Sequence, residues 1–272
     1  MIRQNLHTHA TFSDGGNTCG EIVLAAIEKG FDSVGFSEHA YTPYDLECCI
    51  KEDDIPRYFA EVQRLKEKFA GKIEVYLGFE CDFFHNTEKT GLDYTIGSAH
   101  YVFDEAAGDY LNIDGSPQNY EKALNRAACG DIEELVKIYY RNVIEMARGY
   151  KPDIIGHLDI IAKFNRDNRY FDPESAWHRR IVREVAGKIA ETGCIVEVNT
   201  GGIFRGATDV PFPSSLILRE LYDLNVPVTV SSDSHTADSL DFWFLQAEEL
   251  IKKTGWRSIK QLTPDGFIDV EL

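Results

Sequence analysis

Two histidines, one residue apart, follow directly from the first apolar segment of the chain. Residues 2–6 are typical of a short strand, and His7 and His9 come at its end. Alternate residues of a strand point to the same face, so both imidazoles are directed at one spot. Two ring nitrogens that converge in this way make half of a transition-metal site, and Asp14 follows closely enough to add an oxygen. Since an isolated His-x-His pair is more often a surface coincidence, the interpretation depends on what recurs downstream.

The same residue types recur where later apolar segments end. Six of the eight histidines and two carboxylates occupy such positions: His7, His9, His39, His100, His157, His235, Glu80 and Asp233. Random placement would scatter them over helices and loops as well. None of the candidate ligands is a cysteine, which favours zinc, manganese or iron over a structural thiolate zinc site. Together with Asp14 they are too many for one ion and suit two or three, with a carboxylate bridging neighbours.

Short apolar strands alternate with amphipathic helices along the chain. The predicted strands span residues 2–6, 33–37, 73–79, 94–99, 153–156, 194–198 and 226–232. Thr18-Cys19-Gly20-Glu21 has the pattern of a capping box and predicts the start of the first helix. This alternation predicts a parallel sheet closed, or nearly closed, into an α/β barrel, whose active site lies at the carboxyl ends of the strands. Residues 101–118 lack periodicity and predict a long loop, and a short tail is predicted after the last helix.

The composition describes one domain over residues 1–272 that is 43% hydrophobic and 27% charged. Its formal net charge of −17 argues against duplex nucleic acid or an anionic membrane as a partner, whereas a local cluster of cations still allows a small anionic substrate. No apolar run approaches the roughly 20 residues that span a bilayer, and no signal peptide is expected. The six cysteines show no C-x-x-C spacing, which favours reduced thiols and a cytoplasmic location. The sequence is compatible with an oligomer.

Six ordered motifs give the chain a resemblance to a known family. They are His7-Thr8-His9 with Asp14, Ser37-Glu38-His39, Gly78-Phe79-Glu80, Gly97-Ser98-Ala99-His100, Ile155-Gly156-His157-Leu158-Asp159 and Ser231-Ser232-Asp233-Ser234-His235. In this order they resemble the motifs of the PHP (polymerase and histidinol phosphatase) superfamily, over essentially the whole chain. Within it the chain is most similar to the monofunctional L-histidinol-phosphate phosphatases. The resemblance implies a distorted seven-stranded (β/α) barrel of the α/β class that holds three divalent transition-metal ions.

The resemblance also implies which residues bind each ion. The first ion would be bound by His7, His9, Glu80 and Asp233. The second would share Glu80 as a bridge and be completed by His100 and His157. The third would be bound by Asp14, His39 and His235. Some relatives have histidine at the position of Asp14; an oxygen ligand there keeps the site and can change its metal preference.

For function, the resemblance implies hydrolysis of a small phosphomonoester, L-histidinol phosphate, in histidine biosynthesis. A metal-bridging hydroxide would attack phosphorus in line. After the charges of the ligand carboxylates and the hydroxide are subtracted from those of the ions, the remaining positive charge matches a phosphomonoester dianion. Glu80 and Asp233 are the predicted catalytic residues, with Asp233 as the proton shuttle. The predicted substrate contacts are Arg205, Lys163, Arg166 and His39. Many relatives have a second arginine where this chain has Ala162 and Lys163.

Two other interpretations stay open at this point. One is a PHP phosphoesterase that acts on nucleotides or oligonucleotide ends, and the other is a non-catalytic metal-binding barrel. Several polar residues near the motifs also have ordinary structural explanations: His85 in a loop, His178 on a helix surface, Asp159 orienting His157 or capping a helix, Glu38 supporting the ligands, and Asn199 at a strand end.

Overall fold

Strands and helices alternate along most of the chain in the computed structural model, which describes residues 2–272. The strands are β1 (Gln4–Asn5), β2 (Ser33–His39), β3 (Glu74–Asp82), β4 (Tyr94–Ser98), β5 (Tyr101–Asp104), β6 (Asp109–Asn112), β7 (Ile154–Ile155), β8 (Ile195–Asn199), β9 (Val228–Ser231), β10 (Ser258–Thr263) and β11 (Gly266–Glu271). The helices are α1 (Cys19–Glu28), α2 (Ile55–Lys68), α3 (Pro117–Ala127), α4 (Ile132–Gly149), α5 (Ala176–Ala190), α6 (Gly201–Phe204), α7 (Ser215–Asp223) and α8 (Phe244–Thr254). No helix of the described chain is long and apolar enough to cross a lipid bilayer.

Seven of the strands form a parallel sheet in the order β1-β2-β3-β4-β7-β8-β9. Just past the ends of β1 and β9, Thr8 and Ser234 form a parallel bridge. The amide nitrogen of His9 donates to the carbonyl oxygen of Ser234 at 2.8 Å, and the amide nitrogen of Ser234 donates to the carbonyl oxygen of His7 at 3.0 Å. The barrel therefore closes at its carboxyl edge, which confirms the predicted seven-stranded α/β barrel.

The helices pack on the outside of the sheet through one apolar face each. The predicted capping box is present: Thr18 Oγ1 accepts from the amide nitrogen of Glu21 at 3.3 Å, and the Glu21 carboxylate accepts from the amide nitrogen of Thr18 at 2.8 Å. A cap of this kind stabilises a helix by about 1 kcal/mol. Behind it, α1 buries Ile22, Val23 and Ala26 in the core.

Apolar side chains fill the amino-terminal end of the barrel, and the C-terminal hairpin covers it. Leu6, Tyr94 and Ile154 belong to an apolar cluster that also contains Leu262 of β10. The Gln4 side chain donates to the carbonyl oxygen of Leu262 and accepts from its amide nitrogen, both at 2.8 Å. The antiparallel β10–β11 hairpin is therefore fastened to the barrel.

Two segments differ from the sequence prediction. Within residues 101–118, predicted as a loop, β5 and β6 form an antiparallel hairpin, which Tyr44 covers by stacking on Tyr110 at 3.9 Å between ring centroids. The predicted short tail is the β10–β11 hairpin. Both hairpins are short and partly exposed, and they pack on aromatic or polar side chains from distant segments. Their own sequences therefore show little alternation of apolar and polar residues.

Candidate metal centre and active site

All nine predicted metal ligands meet at the carboxyl end of the barrel. Six of them have side chains at most 13% exposed and are called the inner group here: His7, His9, Glu80, His100, His157 and Asp233. The other three have side chains 22–29% exposed and are called the outer group: Asp14, His39 and His235. The parallel register explains the gathering, since His39 of β2 lies beside Glu80 of β3.

Glu80 is the centre of the arrangement and contacts both groups. Its Oε2 lies 3.2 Å from Nε2 of His7 and 3.0 Å from Nδ1 of His39. Its Oε1 lies 2.9 Å from Nε2 of His157 and 3.3 Å from Nε2 of His100. Each carboxylate oxygen of Glu80 therefore lies near a different pair of imidazoles. A carboxylate in this position is suited to bridge two cations.

The outer group includes Asp14, which lies on a loop whose backbone is hydrogen-bonded to a buried carboxylate. Oδ2 of Asp14 lies 3.3 Å from Nε2 of His235, and Oδ1 lies 3.7 Å from Nε2 of His39. The buried Glu38 carboxylate accepts from the amide nitrogens of Ala10 at 2.8 Å and Ser13 at 2.9 Å, and so fixes the loop that carries Asp14. Glu38 therefore supports the ligand Asp14 through the loop backbone, in line with its predicted supporting role.

The unpartnered atoms of the site fit bound cations. Nε2 of His7, both ring nitrogens of His9 and Oε2 of Glu80 are buried without a hydrogen-bond partner among the described residues. Buried polar atoms are costly unless they are satisfied, and a divalent ion satisfies nitrogen and oxygen lone pairs together. Four overlapping sets of these side chains hold their ligand atoms within 4.8 Å of one another. The donor set therefore matches transition-metal ions.

The charges of the cluster keep its carboxylates ionised. Burial alone would raise the pKa of Asp233, but Arg205 and the neighbouring histidines hold it well below its ordinary value. Burial and the neighbouring histidines lower the pKa of His9 to about 3, so this imidazole is neutral and free to bind a metal. Burial would also lower the pKa of His39, yet Glu80 and Asp14 raise it to about 9. Without bound ions, a protonated histidine such as His39 therefore supplies part of the positive charge that neutralises the carboxylates.

Glu197, which sequence analysis missed, supports the inner group from inside the barrel. Its buried carboxylate lies 2.9 Å from Nδ1 of His7 and accepts from the amide nitrogen of His157 at 2.7 Å. Ser231 and Asn199 also donate to it. Such a carboxylate holds the proton on Nδ1 of His7 and leaves Nε2 for the metal. The available signal was a glutamate inside the apolar strand Ile195–Asn199.

Arg205 reaches the site as predicted. Its Nη2 donates to Oδ2 of Asp233 at 2.7 Å, and its Nη1 donates to the carbonyl oxygen of the same residue at 3.0 Å. Asp233 has a φ of +47°, which a residue with a side chain rarely adopts, so these bonds help to hold a strained backbone. The guanidinium lines a cavity of about 290 Å³ that is open to the inner and outer groups.

The other predicted substrate contacts separate into two places. His39 and Lys163 line the same cavity as Arg205, and Nζ of Lys163 lies 3.7 Å from Oδ2 of Asp114. Arg166 does not line it; this exposed side chain pairs with Asp209 beside a neighbouring cavity. Lys163 is therefore better placed than Arg166 to be a second phosphate contact.

The remaining polar residues have structural surroundings. His178 is buried, at 4% exposure, so the prediction of a helix-surface histidine is wrong; its Nδ1 lies 2.9 Å from the carbonyl oxygen of Pro173 and its ring packs on Phe171. Asp159 accepts from the amide nitrogen of Ser214, which precedes α7, at 2.9 Å. The His85 ring packs edge-on against Tyr41, with the ring centroids 5.8 Å apart. These contacts explain the side chains without a substrate.

Comparisons with known proteins agree with this geometry. A family model described as PHP domain matches residues 5–201. A protein of Deinococcus radiodurans named as a probable histidinol-phosphatase is 30% identical, over 95% of each chain. The histidinol-phosphatase of Bacillus subtilis is 26% identical, over 89% of this chain and 97% of its own.

A solved structure shares the fold. It is the histidinol phosphate phosphatase of Lactococcus lactis, described as a complex with zinc, L-histidinol and phosphate. Its TM-score is 0.72 at 23% identity, and the match covers 98% of each chain. The family match and the Deinococcus relative, together with the gathering of the six motifs around one cavity, show that this chain belongs to the PHP family.

Proposed function

We propose that this chain is a metal-dependent phosphoric monoester hydrolase that converts L-histidinol phosphate into L-histidinol and phosphate, a step of histidine biosynthesis. The observation that supports the proposal is the gathering of the nine candidate metal ligands at one end of the barrel, where seven of them and Arg205 line one cavity. The names of the Deinococcus and Bacillus relatives and the ligands of the Lactococcus structure support this choice of substrate. The cavity, at about 290 Å³, suits a small substrate and not a long nucleic acid.

We further propose that the ligands hold three divalent ions. The inner group would bind two of them, with Glu80 between, and the outer group would bind the third. Imidazole and carboxylate donors suit zinc, manganese or iron. Such ions, when bound, lower the pKa of coordinated water from about 16 to near 7 and offset the charge of phosphoryl oxygens.

The protein's own groups would bind and orient the phosphomonoester. Arg205 lies at the cavity wall, where its guanidinium can form charge-assisted hydrogen bonds to non-bridging oxygens. Lys163 would add a second positive charge, and His39 faces the same space. Asp233, held as an anion by Arg205, is the proposed proton carrier: its carboxylate would accept the proton that the attacking water releases and pass it to the oxygen of the leaving alcohol.

The single domain over residues 1–272 and a cytoplasmic location are part of the same proposal. The family match ends at residue 201, but Asp233 and His235, which follow β9, complete the ligand set. None of the six cysteines forms a disulfide, which suits a reducing compartment.

A phosphate-release assay on metal-loaded protein tests the function. L-histidinol phosphate, AMP, an oligonucleotide with a 5′-phosphate and glucose 6-phosphate are compared as substrates, with Glu80→Gln as the inactive control. We expect the highest kcat/KM for L-histidinol phosphate. Preference for AMP or the oligonucleotide would favour the nucleotide phosphoesterase instead, and no turnover of any substrate would favour a non-catalytic barrel. Elemental analysis of the same sample should approach three equivalents of metal; an active protein with one equivalent would contradict the trinuclear site.

A further inference from the structure

A second cavity lies beside the active-site cavity and contains none of the metal ligands. Its volume is about 290 Å³, and Lys163 belongs to the walls of both cavities. A cavity that combines apolar walls with a few polar groups has the usual form of a small-molecule site. The apolar walls come from the segments that precede α5 and α7: Phe171, Pro173, Val210, Pro211 and Phe212.

Asp159 lines this second cavity with a carboxylate of which one oxygen is satisfied. The residue is 3% exposed, and its Oδ2 accepts from the amide nitrogen of Ser214 at 2.9 Å. Its Oδ1 is buried and has no hydrogen-bond partner among residues 2–272. A buried carboxylate oxygen without a donor is costly, so this position requires a hydrogen-bond donor that the protein itself does not supply.

Tyr140 of α4 adds a second unsatisfied group to the same wall. It is 2% exposed, and its hydroxyl is buried without a hydrogen-bond partner in the described part of the chain. Burial and then the negative charge of Asp159 raise the pKa of the Tyr140 hydroxyl, so the two groups lie close enough to interact. Since neither is hydrogen-bonded to the other, a ligand group between them would satisfy both.

The cations at the second cavity are engaged elsewhere. Arg166 pairs with Asp209 at the exposed mouth, and Nζ of Lys163 lies 3.7 Å from Oδ2 of Asp114 in the active-site cavity. Burial raises the pKa of Asp159, and the groups that oppose this shift are hydrogen-bond donors and not cations. Among the residues that the structure describes, Asp159 therefore has no positively charged partner.

His178 is a further acceptor in the wall of this cavity. Its Nδ1 lies 2.9 Å from the carbonyl oxygen of Pro173, which can only accept, so Nδ1 carries the hydrogen. Burial lowers the pKa of His178, which keeps the ring neutral and leaves Nε2 with a lone pair. The polar groups of the cavity therefore favour a ligand that donates hydrogen bonds.

A primary ammonium group fits these surroundings better than a neutral or an anionic group. It brings the positive charge that Asp159 lacks, and it has three N–H donors and no acceptor. Hydrogen bonds from a cation to a carboxylate are stronger than those between neutral groups. A carboxylate or phosphate group would instead meet the negative charge of Asp159 and the lone pair of His178.

We propose that the second cavity binds a small primary amine with an apolar body, whose ammonium group donates to Oδ1 of Asp159 and to the hydroxyl oxygen of Tyr140. The apolar body would pack against Phe171 and Phe212. This site goes beyond the proposed phosphatase function and does not depend on it, because none of the residues that line it is a metal ligand.

Three matched probes test the site on the wild-type protein by fluorine NMR titration. The first is 4-fluorobenzylamine, and the second is 4-fluorobenzyl alcohol, which lacks the charge. The third is (4-fluorobenzyl)trimethylammonium, which keeps the charge without N–H donors. At pH 8, where the amine is protonated and His178 is neutral, we expect saturable binding of the amine with a Kd of about 1 mM or below. The two analogues should bind at least about tenfold more weakly.

Four variants assign the binding to named residues. Asp159→Asn keeps the size of the side chain and removes its charge, so the affinity for the amine should fall about tenfold to a hundredfold. Tyr140→Phe removes one acceptor and should cost about threefold to tenfold. Asp209→Asn at the mouth and Glu80→Gln in the active-site cavity are matched controls, and each should change the affinity by less than about twofold. Circular dichroism checks the fold of each variant.

Absence of saturable binding at millimolar amine, or equal binding of the alcohol, would overturn the inference and leave water as the donor to Asp159. An equal loss in Asp209→Asn would mean attraction to the negative surface, and a loss in Glu80→Gln would place the amine at the metal centre; either result contradicts the site. If Asp159→Asn does not fold, a crystal of the wild-type protein soaked in the amine decides. Its nitrogen should lie within hydrogen-bond distance of Oδ1 of Asp159, and any other position contradicts the inference.

Discussion

The inner and outer groups of the metal centre are built differently. The inner side chains are at most 13% exposed and have further carboxylates behind them: Glu197 at His7 and Asp82 at His100. The outer side chains are 22–29% exposed, and Asp14 lies on a loop that Glu38 holds through backbone amides. Supporting carboxylates orient imidazoles and strengthen their metal binding. For the three ions proposed above, the comparison predicts a tightly held inner pair and a more exchangeable outer ion.

Access to the cavity follows the same division only in part. All three outer residues line the cavity, and so do four inner residues, whereas His7 and His9 are completely buried and do not. The inner residues at the cavity are Glu80, His100, His157 and Asp233. The cavity wall therefore contains ligands of both groups, and the outer group is its more solvent-exposed part.

Glu80→Gln should have the largest effect, because Glu80 joins the two groups. The amide keeps the size of the side chain but removes a negative charge close to five histidines. We expect kcat to fall by at least about a thousandfold with the fold intact. Steady-state kinetics, metal analysis and circular dichroism check this; near-normal turnover would mean that Glu80 is not a shared ligand.

Arg205→Ala tests the cavity side of the comparison. A charge-assisted hydrogen bond contributes about 1.5–3 kcal/mol, so kcat/KM should fall roughly tenfold to a few hundredfold. Arg205→Lys should recover only part of this loss, because an ammonium keeps the charge without the planar fork. Since Arg205 also binds Asp233, metal content is measured in parallel. A loss of activity that follows the loss of metal would place Arg205 in support of Asp233, not in phosphate binding.

The sequence predicted the ligands well and their supports poorly, for a physical reason. Strand ends can be recognised locally, and in a parallel barrel they all point to one edge, so His7 and Asp233 could be placed together without a structure. Glu197 could not, since its partner His7 lies 190 positions away and only the closed barrel brings them together. The β5–β6 hairpin between β4 and α3 was missed as well, because its two four-residue strands carry little alternation of apolar and polar residues.

Glu197→Gln tests whether the support behind the inner group matters. Glutamine keeps the shape but cannot accept the hydrogen bonds of His7, His157 and Ser231 with a full negative charge. Removal of such a partner typically costs tenfold to a hundredfold in metal affinity. Competition with a coloured chelator measures this affinity, and Glu145→Gln, on the outside of α4, serves as the control. Equal metal affinities would show that enclosure alone distinguishes the two groups.

Stepwise metal removal gives the smallest expected effect and addresses the comparison directly. The outer ligands are open to water and to an incoming chelator, whereas the inner ligands are enclosed and backed by Glu197. We expect one equivalent to leave on the order of tenfold faster than the other two, with activity lost in the same phase. Stopped-flow chelation with parallel activity measurements follows both quantities. His235→Ala should abolish the fast phase and leave the slow one, because His235 belongs to the outer group alone. If all ions left in one phase, or if the fast phase survived in His235→Ala, the division into a tight pair and an exchangeable ion would be wrong, and Glu80 would couple the nine ligands into a single unit.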